Sequence, residues 1–471
     1  MNTDFFILMK SELSLTLIIF ILLVLKVWDG IKDNATWLHI ANTLLLLNFI
    51  LGFIFNTDGS LFNGMYHTNG IVFLEKNILN FGTLLISMQA FDWLKTHKHV
   101  SEFYILLLTT LLGMFFMISS GNFLMFYLGL ELASIPLAAL VNFDLDKLKS
   151  SEAAVKMILS SAFASCIMLF GISMLYGTTG TLSFTEMPKL ITGGGLQIMS
   201  LIFVFTGFAF KISSVPFHLW TADVYEGAPV SVTSYLSVIS KAAIVFVFIS
   251  ILHTLFLNFE SMWYNILFLT IVLTIVVGNL FAIRQDNIKR FLAFSSITQV
   301  GYILLGLSAG SAMGTTAVIY FLMVYIFSNL GAFGVIGLVS AHAQKENISD
   351  YKGFYKTNPF LSWVITISLF SLAGIPPTAG FFGKMFLVTA GASRGNYILV
   401  IIAALNMIIS LYYYLRVVKA IFIDPNDTPI EKVSGSFSAK LALIICVIGL
   451  VATGFASCIY GYINSLTHLT P

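Results

Sequence analysis

Apolar runs long enough to cross a bilayer recur from one end of this chain to the other, and that repetition decides the fold class before any motif is considered. A hydrocarbon core about 30 Å thick takes about 20 apolar residues of helix to cross. On that measure the 471 residues carry fourteen expected spans, at 11–28, 36–55, 71–92, 101–119, 121–142, 151–176, 195–225, 229–256, 262–283, 292–309, 313–342, 359–392, 395–423 and 437–466. The expected fold is an all-α polytopic membrane protein with short connections and no attached soluble domain. Charged residues make up only 10% of the chain, where soluble domains carry about 25%. That excludes a soluble enzyme and a disordered chain, and a dispersed net charge of +2 excludes a nucleic-acid binder.

Redox chemistry leaves no trace in the sequence. Cys166, Cys446 and Cys458 lie in apolar segments and form no CxxC pair, so no disulfide framework, zinc site or iron–sulfur site is expected. No histidine pair stands at metal or haem spacing. The N-terminus runs into a span without a small-residue cleavage site, so no cleavable signal is expected.

Lys and Arg gather on the cytoplasmic side of membrane proteins. Loops after odd-numbered spans hold 16 of the 24 basic residues, the opposite side holds 3, and the rest lie within spans. This places both termini on the outer face. Spans seven and twelve are too long for one straight helix, and proline interrupts each, at Pro216 and at Pro376-Pro377, 160 residues apart. Proline removes a backbone donor and frees a carbonyl, which a membrane tolerates only where protein or water satisfies it. One lone proline reads as a kink. Two at matching positions of two five-helix units, each with a lysine nearby, read as halves of an ion pathway in an inverted repeat. The expected organisation is a three-helix unit over 1–100, a first repeat over 101–258, a second over 259–425 and a C-terminal helix over 426–471.

Ionisable groups at mid-membrane are costly and are paired, hydrated or functional. Glu131 sits inside the fifth span, Lys211 beside the first break, Lys241 mid-span and Lys384 just after the second break. One acid and three lysines make a proton relay, with snorkelling as the alternative for Lys241 above all. Glu152 and Lys156 read as a helix-surface pair, and Glu75 and Lys76 as residues facing headgroups or a partner. Asp223 and Glu226 either collect protons or are simply solvated. His218 either packs or takes protons in. Asn287 through Arg290 read as a basic anchor on the inner face.

The stretch Pro216-Phe217-His218-Leu219-Trp220-Thr221-Ala222-Asp223-Val224-Tyr225-Glu226-Gly227-Ala228-Pro229 resembles the signature of the antiporter-like subunits of respiratory complex I. Glu131–Pro136, Ile288–Gly301 and Ala373–Lys384 carry the same resemblance, which covers spans four to thirteen. It implies that Glu131, Lys211, Lys241 and Lys384 match the family's proton-path residues, the last facing outward. It further implies that NADH, FMN, iron–sulfur clusters and quinone belong to partner subunits, with no cofactor or metal in this chain. The chain would then be a subunit of a translocase in a bacterial inner membrane, beside other antiporter-like subunits. Two positions depart from the family pattern. Gln299 stands where relatives often have histidine, and glutamine orients water but takes up no proton. Ala222 replaces a proline before the aspartate, leaving that loop less rigid. A C-terminal lateral helix is not expected, unlike in the family's longest subunit.

Two other classes compete with a redox-coupled proton carrier. A subunit of a multi-subunit cation/proton antiporter uses similar helices without electron transfer, but such relatives tend to have smaller residues in the Val224–Pro229 stretch. A purely structural membrane subunit has no use for three mid-membrane lysines.

Overall fold

The computed structural model describes residues 3–28, 30–54 and 56–468. Residue 55, the expected end of the second span, and residues 469–471 of the C-terminal segment lie outside them. The chain is a bundle of helices with a single two-stranded hairpin among the described residues. Among the described residues twelve helices are long and apolar enough to cross a membrane, from Lys10–Trp28 to Phe437–Phe455. Three shorter apolar helices among the described residues flank the expected breaks: Gly195–Lys211 precedes the first, and Pro359–Ala373 and Ala379–Ala392 lie on either side of the second. Large apolar side chains such as Leu159, Phe163, Ile401 and Ile408 are exposed on helix faces, as a protein solvated by lipid requires.

Two compact units partition the chain. One comprises residues 1–84, 97–212 and 240–266, the other residues 85–96, 213–239 and 267–471. In the first, helices Val100–Ile118 and Phe123–Val141 pack closely because glycine lies at their contact. A Cβ on Gly113 would stand 2.4 Å from the Ala133 backbone nitrogen, and one on Gly129 2.7 Å from that of Met117. Small residues let membrane helices approach backbone to backbone, and here they fix the helix that carries Glu131. Gly129→Leu is therefore expected to destabilise the protein by about 1–3 kcal/mol, the usual range for overpacking. A thermal unfolding curve in detergent that matches wild type would show that the helices part freely.

Both breaks share one backbone design. Each opens with a left-handed residue, Ser213 (φ 65°) and Gly374 (φ 85°), and reaches a cis X–Pro bond at Val215-Pro216 and Pro376-Pro377. At the second break the consequence can be counted. The helical partners of the Leu372 and Ala373 carbonyls would be the backbone nitrogens of residues 376 and 377, and both are prolines without an N–H. Two carbonyls are thus left free inside the membrane.

Several expectations change. The last span is not one helix: it stops at Phe455 and resumes as Ser457–His468, with Ala456 in a non-helical conformation (ψ 80°). Helix Leu148–Thr179 covers the expected 151–176 and ends at Gly180 in the left-handed region. An Asn63-Gly64 turn folds Gly59–Leu61 onto Tyr66–Thr68 as an unexpected antiparallel hairpin. Lys76 and Glu75 face neither headgroups nor an open surface, being 1% and 5% exposed. The hairpin covers the end of their helix, its His67 backbone N–H donating to the Ser119 carbonyl at 2.9 Å.

Candidate functional site

In the first unit, Lys211 ends helix Gly195–Lys211. Its ammonium donates to Ser134 Oγ at 2.7 Å and Ser161 Oγ at 2.8 Å. Ser134 can accept that bond because its own hydroxyl donates backward to the Leu130 carbonyl at 2.7 Å. Glu131 lies one turn before Ser134 on the same helix face. No ion pair within 4.0 Å joins it to Lys211, and its buried Oε1 has no hydrogen-bond partner among the described residues. Neutral hydroxyls therefore hold the lysine, with a carboxylate standing off.

Lys241, 2% exposed, follows a five-residue π-helical turn at Leu236–Ser240. Such turns interrupt α-helices chiefly at functional positions. Its helix packs on Gly195–Lys211. Burial this complete excludes the snorkelling alternative for Lys241.

In the second unit, Lys384 is wholly buried. Its ammonium donates to the freed carbonyls of Leu372 at 2.6 Å and Ala373 at 3.3 Å, and lies 4.8 Å from the Tyr302 ring centroid. Gln299 Nε2 donates to the same Leu372 carbonyl at 3.0 Å and to the Tyr414 hydroxyl at 3.1 Å, and Tyr414 in turn meets Ser295. The glutamine's Oε1 is buried without a partner among the described residues, as are Ser213 Oγ, His218 Nδ1 and Thr221 Oγ1 along the first break. Polar atoms at such depth are normally satisfied by water.

Asp223 and Glu226 are brought together by Arg290, in the stretch expected to anchor the inner face. Arg290 Nη1 donates to Asp223 Oδ1 at 2.8 Å and to Glu226 Oε2 at 2.9 Å. Lys289 is buried and pairs with Glu346 at 2.9 Å. Asn287 caps the helix by accepting from the Lys289 and Arg290 backbone N–H groups. The basic run thus makes ion pairs within the chain: Arg290 bridges two acids that keep 36% and 22% exposure, and Lys289 holds Glu346. Glu152 and Lys156 form an exposed i,i+4 pair at 2.7 Å. The residues missed in the sequence are those that hold the lysines: Ser134, Ser161, Tyr302, Tyr414 and the clamping Arg290. Only the carbonyls of Leu372 and Ala373 had a signal, the prolines four residues on.

Known proteins place this arrangement in context. The profile of the family described as NADH:quinone oxidoreductase/Mrp antiporter, transmembrane, matches residues 120–410. NADH-quinone oxidoreductase subunit N of Phocaeicola vulgatus is 48% identical over 456 residues, 96% of each chain. The subunit of the same name from Azobacteroides pseudotrichonymphae is 46% identical over 99% of each chain. A chain in the structure of respiratory complex I from Thermus thermophilus with bound aureothin superposes with a TM-score of 0.81 at 27% identity, covering 95% of this chain and 97% of that one. A chain of the Mrp complex from Dietzia shares the fold, with a TM-score of 0.85 at 20% identity. With a profile match over more than half its length and near-full-length relatives of one name, the chain belongs to the NADH:quinone oxidoreductase/Mrp antiporter family of membrane subunits, in its subunit N branch.

Proposed function

We propose that this chain is a proton-translocating membrane subunit of an NADH:quinone oxidoreductase, carrying protons on Glu131, Lys211, Lys241 and Lys384 while electron transfer proceeds in partner subunits. The observation that carries the reading is the way the lysines are held. Lys211 rests on two serine hydroxyls and Lys384 on two broken-helix carbonyls. Each place stabilises an ammonium without fixing it by a carboxylate, which is what a group that must both take and release a proton requires. His218 and Gln299 orient water along the same route, and the Asp223–Arg290–Glu226 clamp closes one end of the first break. NADH, FMN, iron–sulfur clusters and quinone reside in neighbouring subunits, and the chain's own contribution is transfer rather than redox chemistry.

With each broken pair counted as one crossing, the chain crosses a bacterial inner membrane fourteen times with both termini outside. Residues 101–258 and 259–425 form two inverted five-helix repeats, after a three-helix unit over 1–100 and before a C-terminal segment over 426–471. A left-handed residue three positions before a proline in each break, Ser213 before Pro216 and Gly374 before Pro377, supports this division.

The test is NADH-driven proton uptake by inverted membrane vesicles, wild type against Glu131→Gln, with assembly followed on native gels. The expected result is an assembled complex in which oxidation and pumping both fall. Unaffected oxidation and pumping together with reduced sodium tolerance would instead identify an antiporter subunit.

A further inference from the structure

A groove at one end of the second unit has no part in the relay above. Helices Pro359–Ala373 and Phe437–Phe455 pack on each other and on Ala312–Ala343, and between their starts lies an open-sided cavity of about 380 Å³. Hydrogen bonds fix its walls. The Asn358 amide, 5% exposed, donates to the Ile430 carbonyl at 3.3 Å and the Glu431 carbonyl at 3.0 Å, and accepts from the Val433 N–H at 2.8 Å. Thr357 Oγ1 donates to the Ile430 carbonyl at 2.7 Å. Residues 430–433 are thereby tied to the start of helix Pro359–Ala373, and Ser436 caps Phe437–Phe455 by accepting from the Ala439 N–H.

The lining changes character along the helices. Lys432 stands on the tied segment and Lys440 in the first turn of the last helix, and neither forms an ion pair within 4.0 Å among the described residues. The acids close by leave them free. Asp92 is taken up by the Ser436 N–H at 2.9 Å and the Ser436 hydroxyl at 3.0 Å, and the exposed Glu431 pairs with neither lysine. One turn beyond Lys440 on the same helix face is Ile444, which with Phe360 forms an apolar slot whose two side chains keep 41% and 42% exposure. Ammonium groups at two helix starts, where the positive ends of both helix dipoles also lie, stand over hydrocarbon walls. A free anion gains nothing from those walls, and a neutral lipid gains nothing from the lysines. The depth agrees, because exposed Tyr355 and Trp363, both packed on the Phe422 ring at 4.8 and 5.3 Å, mark the headgroup level. We propose that this groove binds an anionic phospholipid, its phosphate between Lys432 and Lys440 and an acyl chain along Phe360 and Ile444. Its assignment to the inner leaflet rests on the orientation proposed above, whereas the need for a negative head does not.

The test is photo-cross-linking of the intact purified complex in phosphatidylcholine vesicles carrying a trace of phosphatidylglycerol with a photoactivatable acyl chain, the adduct being mapped by peptide mass spectrometry. Wild type is expected to carry the adduct on the peptides containing Phe360 or Ile444, and a phosphatidylcholine probe with the same chain is expected to label them far less. Each lysine near a membrane surface contributes about fivefold to the binding of anionic lipid, so the double variant Lys432→Gln, Lys440→Gln is expected to lower the adduct about tenfold or more. Equal labelling by the two probes, or an unchanged adduct in the double variant, overturns the proposal. Displacement of the adduct by inorganic phosphate would reveal a free-anion site, and absence of any adduct would show a partner subunit filling the groove; either result overturns it too. Should the double variant not assemble, Lys432→Arg with Lys440→Arg keeps both charges and is expected to retain the adduct, and its loss there counts equally against the site.

Discussion

Lys211→Met is expected to leave the complex assembled while slowing its proton transfer by about 10²-fold or more, the range for deleting a positioned acid–base group. Methionine is unbranched, flexible and apolar, so it fills the volume of the lysine stem without strain. What it removes is the donor to Ser134 Oγ and Ser161 Oγ. Ser134 keeps its bond to the Leu130 carbonyl, so the lost ammonium does not orphan that hydroxyl's proton. The deficit is therefore chemical rather than structural. Lys211→Arg separates charge from proton exchange, because a guanidinium stays protonated at any relevant pH. It supplies a cation to the same serines and releases nothing, and is expected to pump no better than Lys211→Met. NADH-driven proton uptake, normalised to complex on a native gel, reads both variants. An arginine variant that pumps normally would mean that Lys211 serves as a fixed positive charge, and the carrier role would fall.

The sequence made the helical architecture and the two breaks legible because both follow from one-dimensional signals. Apolar length sets the spans, and proline at 216, 376 and 377 sets the interruptions. Glu131, Lys211, Lys241 and Lys384 stand out in the sequence because a charge at mid-membrane is rare. Their immediate partners do not. Ser134 and Ser161 read as ordinary small polar residues of apolar helices, and nothing local tells that they converge on a lysine 77 and 50 residues away. Arg290 illustrates the opposite error. A basic pair at a helix start matches an inner-face anchor so well that its role, bridging acids 67 and 64 residues earlier, is hidden. Glu75 and Lys76 were misplaced for a similar reason. They stand near a helix end, where charge normally meets headgroups, and only the hairpin at Gly59–Thr68 buries them. Sequence periodicity thus located the expensive charges, while tertiary contacts at long separation decided what each charge meets.

The second large effect concerns the carbonyls that hold Lys384. Lys384→Met is expected to slow proton transfer by about 10²-fold, as any deleted carrier would, but the prolines test why the lysine is held at all. Pro376→Ala gives residue 376 an N–H able to reach the Leu372 carbonyl, and Pro377→Ala does the same for Ala373. Each new donor competes with the ammonium for its acceptor. The bond to Leu372 is the shorter, 2.6 Å against 3.3 Å, and Gln299 shares that carbonyl. Pro376→Ala is therefore expected to be the harsher substitution. A hydrogen bond to a charged group contributes about 1.5–3 kcal/mol, so losing the Leu372 bond corresponds to about tenfold or more in how often Lys384 occupies its place. Gly374 is left-handed where the helix now ends (φ 85°), so a new N–H reaches these carbonyls by the helix extending through that position. Proton uptake measured for the two single substitutions decides the point. Equal rates, or a harsher Pro377→Ala, would mean that the break serves the path of the backbone and that something other than the freed carbonyls fixes Lys384.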